Sequence, residues 1–391
     1  MVWEGKRLSD VTEADLRRVL EAGTEEHKHL DYKAGLYGAN DAGQKDFLID
    51  VCAFANAEGG ILLLGVPEVR DAETGKPTGV PDLGNFQGIE APNPESLLIA
   101  YDAKVVSCIE ERIPLETRAI RLANGRHVLA IRVPNSLNKP HCVRRDEKRY
   151  FPSRRDRHIY YMDVQEIKDL AIRTVSRREQ AERLLQDALA ETSPEENAFP
   201  YVAFASMPVF WKDFLVNLRD QNVVEAMRRF DPAHGAYGNV SYTFKGIERQ
   251  GQRQAVAQLR RNGLVRFSQQ VPHNVLPNGT ANFLPVAIDL LLRKFIEKAS
   301  AVYEVAGVTG PFVLSLMLRT RGQAVAIYPD FAGFADAQGS LEPGKYAFPT
   351  MEAYDFADFD AIMRPLCDQV HQGFGQAASP KFGADGKWIE R

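Results

Sequence analysis

The N-terminal half of the chain alternates between helical patterns and short apolar runs. A capping box at Thr12–Asp15 predicts a first helix, and His29–Tyr32 has the pattern of a strand. Apolar residues then recur with a helical period over Gln44–Ala57, and Gly59-Gly60 ends that helix. The continuous apolar run Ile61–Val66 follows directly. It predicts a central strand that is buried on both faces and packs against the preceding helix.

The remaining segments of this half continue the mixed pattern. Asn124-Gly125 lies between two alternating runs, and because both residues tolerate positive φ it indicates a β-hairpin. The predicted elements are a long loop at Val69–Pro92, a helix at Pro94–Ile113, strands at Arg118–Leu122 and His127–Val133, a second hairpin at Pro140–Phe151 and a long helix from Asp163 to about Ala190. Together they predict an α+β fold, a mixed sheet with flanking helices.

The second half predicts a separate domain of α/β or α+β class. Thr192-Ser193-Pro194 is the predicted boundary, so the domains are expected at 1–191 and 192–391. The expected strands are Tyr201–Ser206, Ser241–Phe244, Leu264–Phe267, Val313–Leu316 and Ala324–Tyr328, with a helix at Val286–Glu304. The Gly-, Ala- and Lys-rich segment Gly373–Arg391 predicts a loosely held tail.

Composition narrows the classes of function. The net charge of −4 over 391 residues excludes a basic protein that binds nucleic acid over its whole surface, so any such binding needs a local patch. Four scattered cysteines without a CxxC pair argue against a zinc site or a disulfide framework and fit a reducing cytosol. No apolar run approaches the roughly 18 residues that span a bilayer. We therefore expect a cytoplasmic protein without a membrane partner.

Three carboxylates form the first candidate site. Glu26 and Asp31 flank the start of the first predicted strand, and Glu68 follows the end of Ile61–Val66, where open sheets place ligands. Their oxygens are ligands that Mg²⁺ or Mn²⁺ prefers, and such an ion activates water and neutralises phosphate charge. Lys33 is a candidate contact to the scissile phosphate. The spacing is equally compatible with solvated surface carboxylates, because Asp and Glu are mostly exposed.

A basic cluster forms the second candidate site. Between Lys139 and His158 there are eight Lys or Arg residues and three acids. The candidate nucleic-acid-binding residues are Lys139, Arg144, Arg145, Lys148, Arg149, Arg154, Arg155 and Arg157. The aromatic residues among or beside them are Tyr150, Phe151, Tyr160 and Tyr161. Basic side chains hold a phosphate backbone, and aromatic rings stack on unpaired bases. The alternative is a solvated hairpin whose aromatic rings face the core.

Several of these motifs together resemble the Schlafen-type AlbA-like domain. They are Glu26-x4-Asp31-Tyr32-Lys33, the segment Phe54-Ala55-Asn56-x-x-Gly59-Gly60 that leads into Leu64-Gly65-Val66, and the later Lys139-Pro140-His141 with Arg149-Tyr150-Phe151. The resemblance covers roughly Ala14–Ile172.

The resemblance implies a metal-dependent endoribonuclease that acts on structured RNA such as tRNA. Glu26, Asp31 and Glu68 would hold Mg²⁺ or Mn²⁺, and Lys33 matches the family's lysine. It also suggests a role in phage defence and a homodimer or larger assembly. Three departures stand out: Asp31 replaces a glutamate, Pro67-Glu68 replaces an acidic pair, and Tyr150–Arg154 departs from the family's Tyr-x-Arg-x-Gly. The alternatives are a non-catalytic module that binds RNA or DNA, and a nucleotide-sensing or assembly protein.

Overall fold

The chain forms two compact units, Met1–Ser176 and Arg177–Arg391, and each combines helices with sheets. This confirms the predicted α+β class. The computed structural model describes residues 3, 8–145, 147–191, 200–232, 238–275, 277–278, 280–329, 335–356 and 358–390. The predicted boundary Thr192-Ser193-Pro194 lies outside these residues.

The first unit begins with a 3-10 turn at Leu8–Asp10. Its helices are α1 (Glu13–Glu21), α2 (Asp41–Asn56), α3 (Pro94–Cys108) and the beginning of α4 (Val164–Ala190). Its strands are β1 (Leu30–Lys33), β2 (Gly60–Leu64), β3 (Glu68–Arg70), β4 (Pro77–Pro81), β5 (Ile109–Glu110), β6 (Glu116–Arg121), β7 (His127–Val133), β8 (Cys142–Arg145), β9 (Lys148–Tyr150), β10 (Pro152–Arg155) and β11 (His158–Tyr161). The capping box at Thr12 and the long helix after Asp163 are both present.

The main sheet of this unit has the order β1-β2-β7-β6, in which β1 and β2 are parallel and the other pairs antiparallel. One face packs against α2 and α3 through Phe47, Leu62 and Leu129, and the other packs against α1 through Leu16 and Leu63. Asp31 pairs in register with Leu62. Because paired residues share a face, Asp31 projects toward α2.

Two expectations for this unit were wrong. The segment Val69–Pro92 is not one loop, because β3 and β4 form an antiparallel pair within it. Neither strand shows an apolar alternation, so the pattern carries no strand signal. The helix predicted to reach Ile113 ends at Cys108, because Ile109 and Glu110 pair with β8.

The second unit contains α5 (Gln221–Arg228), α6 (Val286–Val305) and α7 (Phe359–Gln372). Its strands are β12 (Tyr201–Pro208), β13 (Ser241–Tyr242), β14 (Gly246–Gln250), β15 (Val256–Arg260), β16 (Val265–Gln270), β17 (His273–Val275), β18 (Ala281–Phe283), β19 (Phe312–Thr320), β20 (Ala324–Pro329), β21 (Ala335–Leu341), β22 (Gly344–Ala347) and β23 (Met351–Ala353). The larger sheet has the order β13-β14-β15-β16-β12-β19-β22, with β23 also on β19, and the smaller is β17-β18-β20-β21. Phe204, Phe267 and Phe295 stack in the core.

The expected loose tail is instead held in the second unit. Phe374 is buried, and the Ser379 hydroxyl donates to Asp289 Oδ2 at 2.7 Å. The same oxygen lies 2.8 Å from His371 Nε2. Asp289 is fully buried on α6 and needs such partners, so it ties the segment down. None of the helices in the described ranges is both long and apolar enough to cross a membrane.

Candidate functional site

Glu26, Asp31 and Glu68 are called here the carboxylate cluster. Asp31 is its buried centre, with 4% of its surface exposed. Its Oδ2 accepts a hydrogen bond from Arg154 Nη1 at 2.7 Å, and its Oδ1 accepts one from Lys33 Nζ at 3.0 Å. Burial alone raises the pKa of Asp31, but Lys33 and Arg154 outweigh it and leave that pKa below its usual value. Asp31 is therefore a carboxylate held ionised between two cations.

Arg154 reaches Asp31 from β10, and the side chain of Arg154 is only 1% exposed. Its guanidinium carbon lies 4.3 Å from the centre of the Phe54 ring, so the charge is stacked on an aromatic face as well as paired. The Phe54 ring in turn lies against Gly60, where an added Cβ would sit 2.2 Å from the ring. The Phe54…Gly60 part of the motif therefore builds the platform on which Arg154 rests.

Asn56, in the same motif, fixes the start of β10. Its Nδ2 donates to the carbonyl oxygens of His141 and Pro152, at 2.9 and 2.8 Å, and its Oδ1 accepts from the His141 N–H at 2.7 Å. The side chain is buried, so these three bonds satisfy an amide that water cannot reach. The result is that the end of α2 sets the position of Arg154.

Glu26 and Glu68 both contact one residue of β4, Gly79. The Glu26 N–H donates to the Gly79 carbonyl at 2.8 Å, and the Gly79 N–H donates to Glu68 Oε2 at 3.0 Å. Glu26 Oε1 also accepts from the Tyr32 N–H at 2.6 Å. Gly79 has φ +84°, and a Cβ there would lie 3.1 Å from Arg157. Glycine is therefore required where the two glutamates converge.

The three carboxylates influence one another. Burial, a hydrogen bond with Asp31 and repulsion from Asp31 and Glu68 together raise the pKa of Glu26 to about 8. Burial and the charge of Asp31 also raise the pKa of Glu68. At neutral pH Glu26 is therefore mainly protonated and shares its proton with the ionised Asp31.

Lys33 bridges this cluster to an acid that the sequence interpretation missed. Its Nζ lies 3.4 Å from Asp50 Oδ2 as well as 3.0 Å from Asp31. Asp50 is buried on α2 and accepts a hydrogen bond from the Tyr37 hydroxyl. The available signal was a single acid inside the otherwise apolar stretch Phe47–Phe54.

In this arrangement most of the carboxylate oxygens are engaged by protein donors. Both oxygens of Asp31 are engaged by cationic side chains, and one oxygen each of Glu26 and Glu68 accepts a backbone N–H. Among the residues that the structure describes, no group of three or more His, Cys, Asp or Glu side chains is placed to hold a metal ion. The geometry is that of a carboxyl–carboxylate pair flanked by cations.

The basic cluster divides between surface and interior. Its exposed members, called here the basic hairpin surface, lie on the β8–β9 and β10–β11 hairpins. They are Arg144, Lys148, Arg149, Arg155 and Arg157. Arg149 donates two hydrogen bonds to Glu110, and Arg144 lies 3.9 Å from that carboxylate.

The other three members of the cluster have partners inside the unit. Arg154 is the partner of Asp31, and half-buried Arg145 pairs with Asp41. Lys139 is buried and donates to the Ala57 carbonyl and, at 2.6 Å, to Asn135. Burial lowers the pKa of Lys139 to about 7. These side chains therefore lie outside the basic hairpin surface.

Comparison with known proteins identifies the domain type. Residues 26–163 match the family model described as Schlafen, AlbA_2, so the first unit contains a Schlafen-type AlbA-like domain. No curated protein matches the chain. One similar solved structure is the solution NMR structure of the N-terminal domain of a RecG-related protein from Nitrosomonas europaea, with 22% identity over 32% of this chain and 74% of that chain. Its TM-score of 0.25 is too low to indicate a shared function.

Arg154→Met is expected to destabilise the protein by about 3–5 kcal/mol, because it leaves the buried Asp31 carboxylate without its main partner. Urea denaturation of the full chain, followed by circular dichroism, measures the change. Arg155→Met is the matched control, since Arg155 is the exposed neighbour on the same strand, and we expect it to change stability by less than about 0.5 kcal/mol. Equal losses in the two variants would show that the ion pair has no special role.

The raised pKa of Glu26 predicts a pH dependence of stability. The pKa of Glu26 in the folded protein lies above its pKa in the unfolded chain. The contribution of Glu26 to the free energy of unfolding is therefore complete below pH 4.5 and is lost as the pH rises to about 8. Glu26→Gln cannot ionise and should flatten this fall in the free energy of unfolding. Denaturation across that range tests it, with Glu25→Gln, the exposed neighbour, as the control. An unchanged slope in Glu26→Gln would contradict the assignment.

Proposed function

We propose that the first unit, which contains a Schlafen-type AlbA-like domain, binds nucleic acid through the basic hairpin surface. The observation that carries the proposal is the concentration of five exposed cations on two consecutive hairpins of a chain whose net charge is −4. Such a patch supplies the sequence-independent part of nucleic-acid affinity, because each phosphate contact releases counterions. The ligand proposed is structured RNA such as tRNA, and DNA is the alternative that the binding test decides.

The existing ion pairs of this surface do not prevent phosphate binding. Arg144 and Arg149 share Glu110, but their side chains are 60% and 58% exposed. Exposed pairs of this kind contribute only about 0–1 kcal/mol, so a phosphate can replace the carboxylate at little cost. Arg155 and Arg157 extend the same surface onto the second hairpin.

A second candidate function, cleavage of the bound RNA, is favoured by the convergence of Glu26, Asp31 and Glu68 beside Lys33. The resemblance supplies the rest of this proposal: an endoribonuclease that requires Mg²⁺ or Mn²⁺, a role in phage defence and a homodimer. A divalent cation would require Asp31 to release Lys33 or Arg154, because both oxygens of Asp31 are engaged. Binding and cleavage are therefore separable proposals that need separate tests.

Reversing two charges tests binding. Arg144→Glu combined with Arg149→Glu is expected to weaken tRNA binding by roughly tenfold or more. The slope of log K against log [salt] should also become shallower by about two, because about two phosphate contacts are lost. Fluorescence anisotropy of labelled tRNA at several salt concentrations, repeated with duplex DNA, measures both effects.

The matched control for this pair is Arg228→Glu combined with Arg229→Glu, two exposed arginines at the C-terminal end of α5. It carries the same change of charge and should bind almost as the unaltered chain does. If both double variants lose affinity equally, the effect is one of net charge and the basic hairpin surface is not the binding site.

Cleavage is tested by incubating tRNA with the full chain in Mn²⁺, in Mg²⁺ or in EDTA. The nuclease proposal expects cutting in a divalent cation that Glu26→Gln and Glu68→Gln both abolish, while binding remains. Asp46→Asn, an exposed acid on α2, is the control and should cut normally. Intact tRNA in all three conditions, with binding preserved, would reject the nuclease and leave the binding module.

A further inference from the structure

A cavity of about 350 Å³ opens beside Arg154 in the first unit. It is formed by the end of α2, the β10–β11 hairpin and the beginning of α4. Its volume lies within the range of pockets that hold small molecules, roughly 300–1,000 Å³. Arg154 lines the cavity and also pairs with Asp31, so the cavity is separated from the carboxylate cluster by a single side chain.

The inner wall of the cavity suits a flat aromatic ligand. Ala57, Met162 and Leu170 provide apolar surface, and Tyr160 provides a half-buried ring. The guanidinium carbon of Arg155 lies 5.1 Å from the centre of that ring, so two planar groups are already associated at the wall. Every nucleobase has a face that can stack on such a surface, which makes the contact tolerant of base identity.

The rim of the cavity carries charges of both signs. Lys28, Arg155 and Arg173 are exposed cations at the opening, and Glu58, Asp156 and Glu166 are acids beside them. Arg173 donates from Nε to the Asp169 carbonyl at 3.2 Å, and no carboxylate among the described residues pairs with it. A nearly balanced rim disfavours a triphosphate, whose charge would meet the three acids, and fits one phosphodiester with a single negative charge.

The cavity is also continuous with the basic hairpin surface. Arg155 belongs to both, and Arg157 follows it at the turn of the same hairpin. A polynucleotide whose backbone follows the exposed arginines would therefore pass the opening of the cavity. Inserting a base requires that the base is not stacked in a duplex, which favours an unpaired nucleotide.

We propose that this cavity accepts one unstacked nucleotide of the bound nucleic acid, with its base against Tyr160 and its phosphodiester near Lys28 and Arg173. The inference rests on the proposed binding function and adds the class of nucleotide that the unit selects. It places an unpaired residue of the ligand next to Arg154, and therefore next to the Asp31 cluster.

The test compares two neighbouring tyrosines on β11. Tyr160 lines the cavity, whereas Tyr161 is an exposed tyrosine whose ring lies 6.1 Å from Tyr150. Tyr160→Leu keeps an apolar side chain but removes the aromatic face, and it is expected to weaken binding of a short single-stranded oligouridylate by about tenfold. Tyr161→Leu should leave that binding unchanged. Tyr160→Phe, which keeps the aromatic face, should bind as the unaltered chain does. Anisotropy with the labelled oligonucleotide and the full chain provides the measurement.

A blunt RNA duplex of the same length separates the possible outcomes. The proposal expects duplex binding to be equal in all variants, because a paired base cannot enter the cavity. Two results would reject the cavity as a nucleotide site but leave the binding function standing. One is an equal loss of oligouridylate binding in Tyr160→Leu and Tyr161→Leu, and the other is no loss in either variant while both RNAs bind. Absence of binding to both RNAs would overturn the proposed function itself. Tighter binding of free uridine monophosphate than of the oligonucleotide would assign the cavity to a free nucleotide and so overturn the proposal.

Discussion

The buried ion pair between Asp31 and Arg154 is the constraint on which the first unit depends. The two side chains are 6% and 1% exposed, so neither charge is solvated by water and each requires the other. Their attraction does not simply add stability, because removing two charges from water costs about as much as the pair returns. The pair instead fixes positions. The β10–β11 hairpin must lie against β1, at the edge of the main sheet, in the one alignment that brings Arg154 to Asp31.

That alignment determines where the other functional groups lie. The end of α2 supports Arg154 through Phe54 and holds the start of β10 through Asn56. The hairpin that carries Arg154 inward also carries Arg155 and Arg157, and both of these side chains are exposed. On the other side of Asp31, Lys33 and Glu26 complete the carboxylate cluster. One buried pair therefore links the Phe54–Gly60 motif, the basic hairpin surface and the carboxylate cluster.

Local patterns were sufficient to predict the four helices and the main-sheet strands of the first unit. The capping box at Thr12, the Asn124-Gly125 hairpin and the Gly59-Gly60 break each act within a few residues, so the sequence displays them directly. The partnership of Asp31 with Arg154 spans 123 positions, and Arg154 stands beside Arg155 with no local feature that separates the buried arginine from the exposed one. The tail was misjudged for the same reason, since Ser379 is held by Asp289, 90 positions away. The role of Gly79 could not be predicted, because β4 shows no apolar alternation that would indicate a strand.

A double-mutant cycle on Asp31→Asn and Arg154→Met tests this account most directly. Hydrogen exchange at the amides of β1 and β10 in the full chain measures the free energy of opening of these two strands. The account predicts that each single variant is strongly destabilised and that the double variant loses far less than their sum, leaving a coupling energy of about 2–3 kcal/mol. Losses that add to within about 0.5 kcal/mol would show that the two residues act independently, and would contradict the central role of the pair.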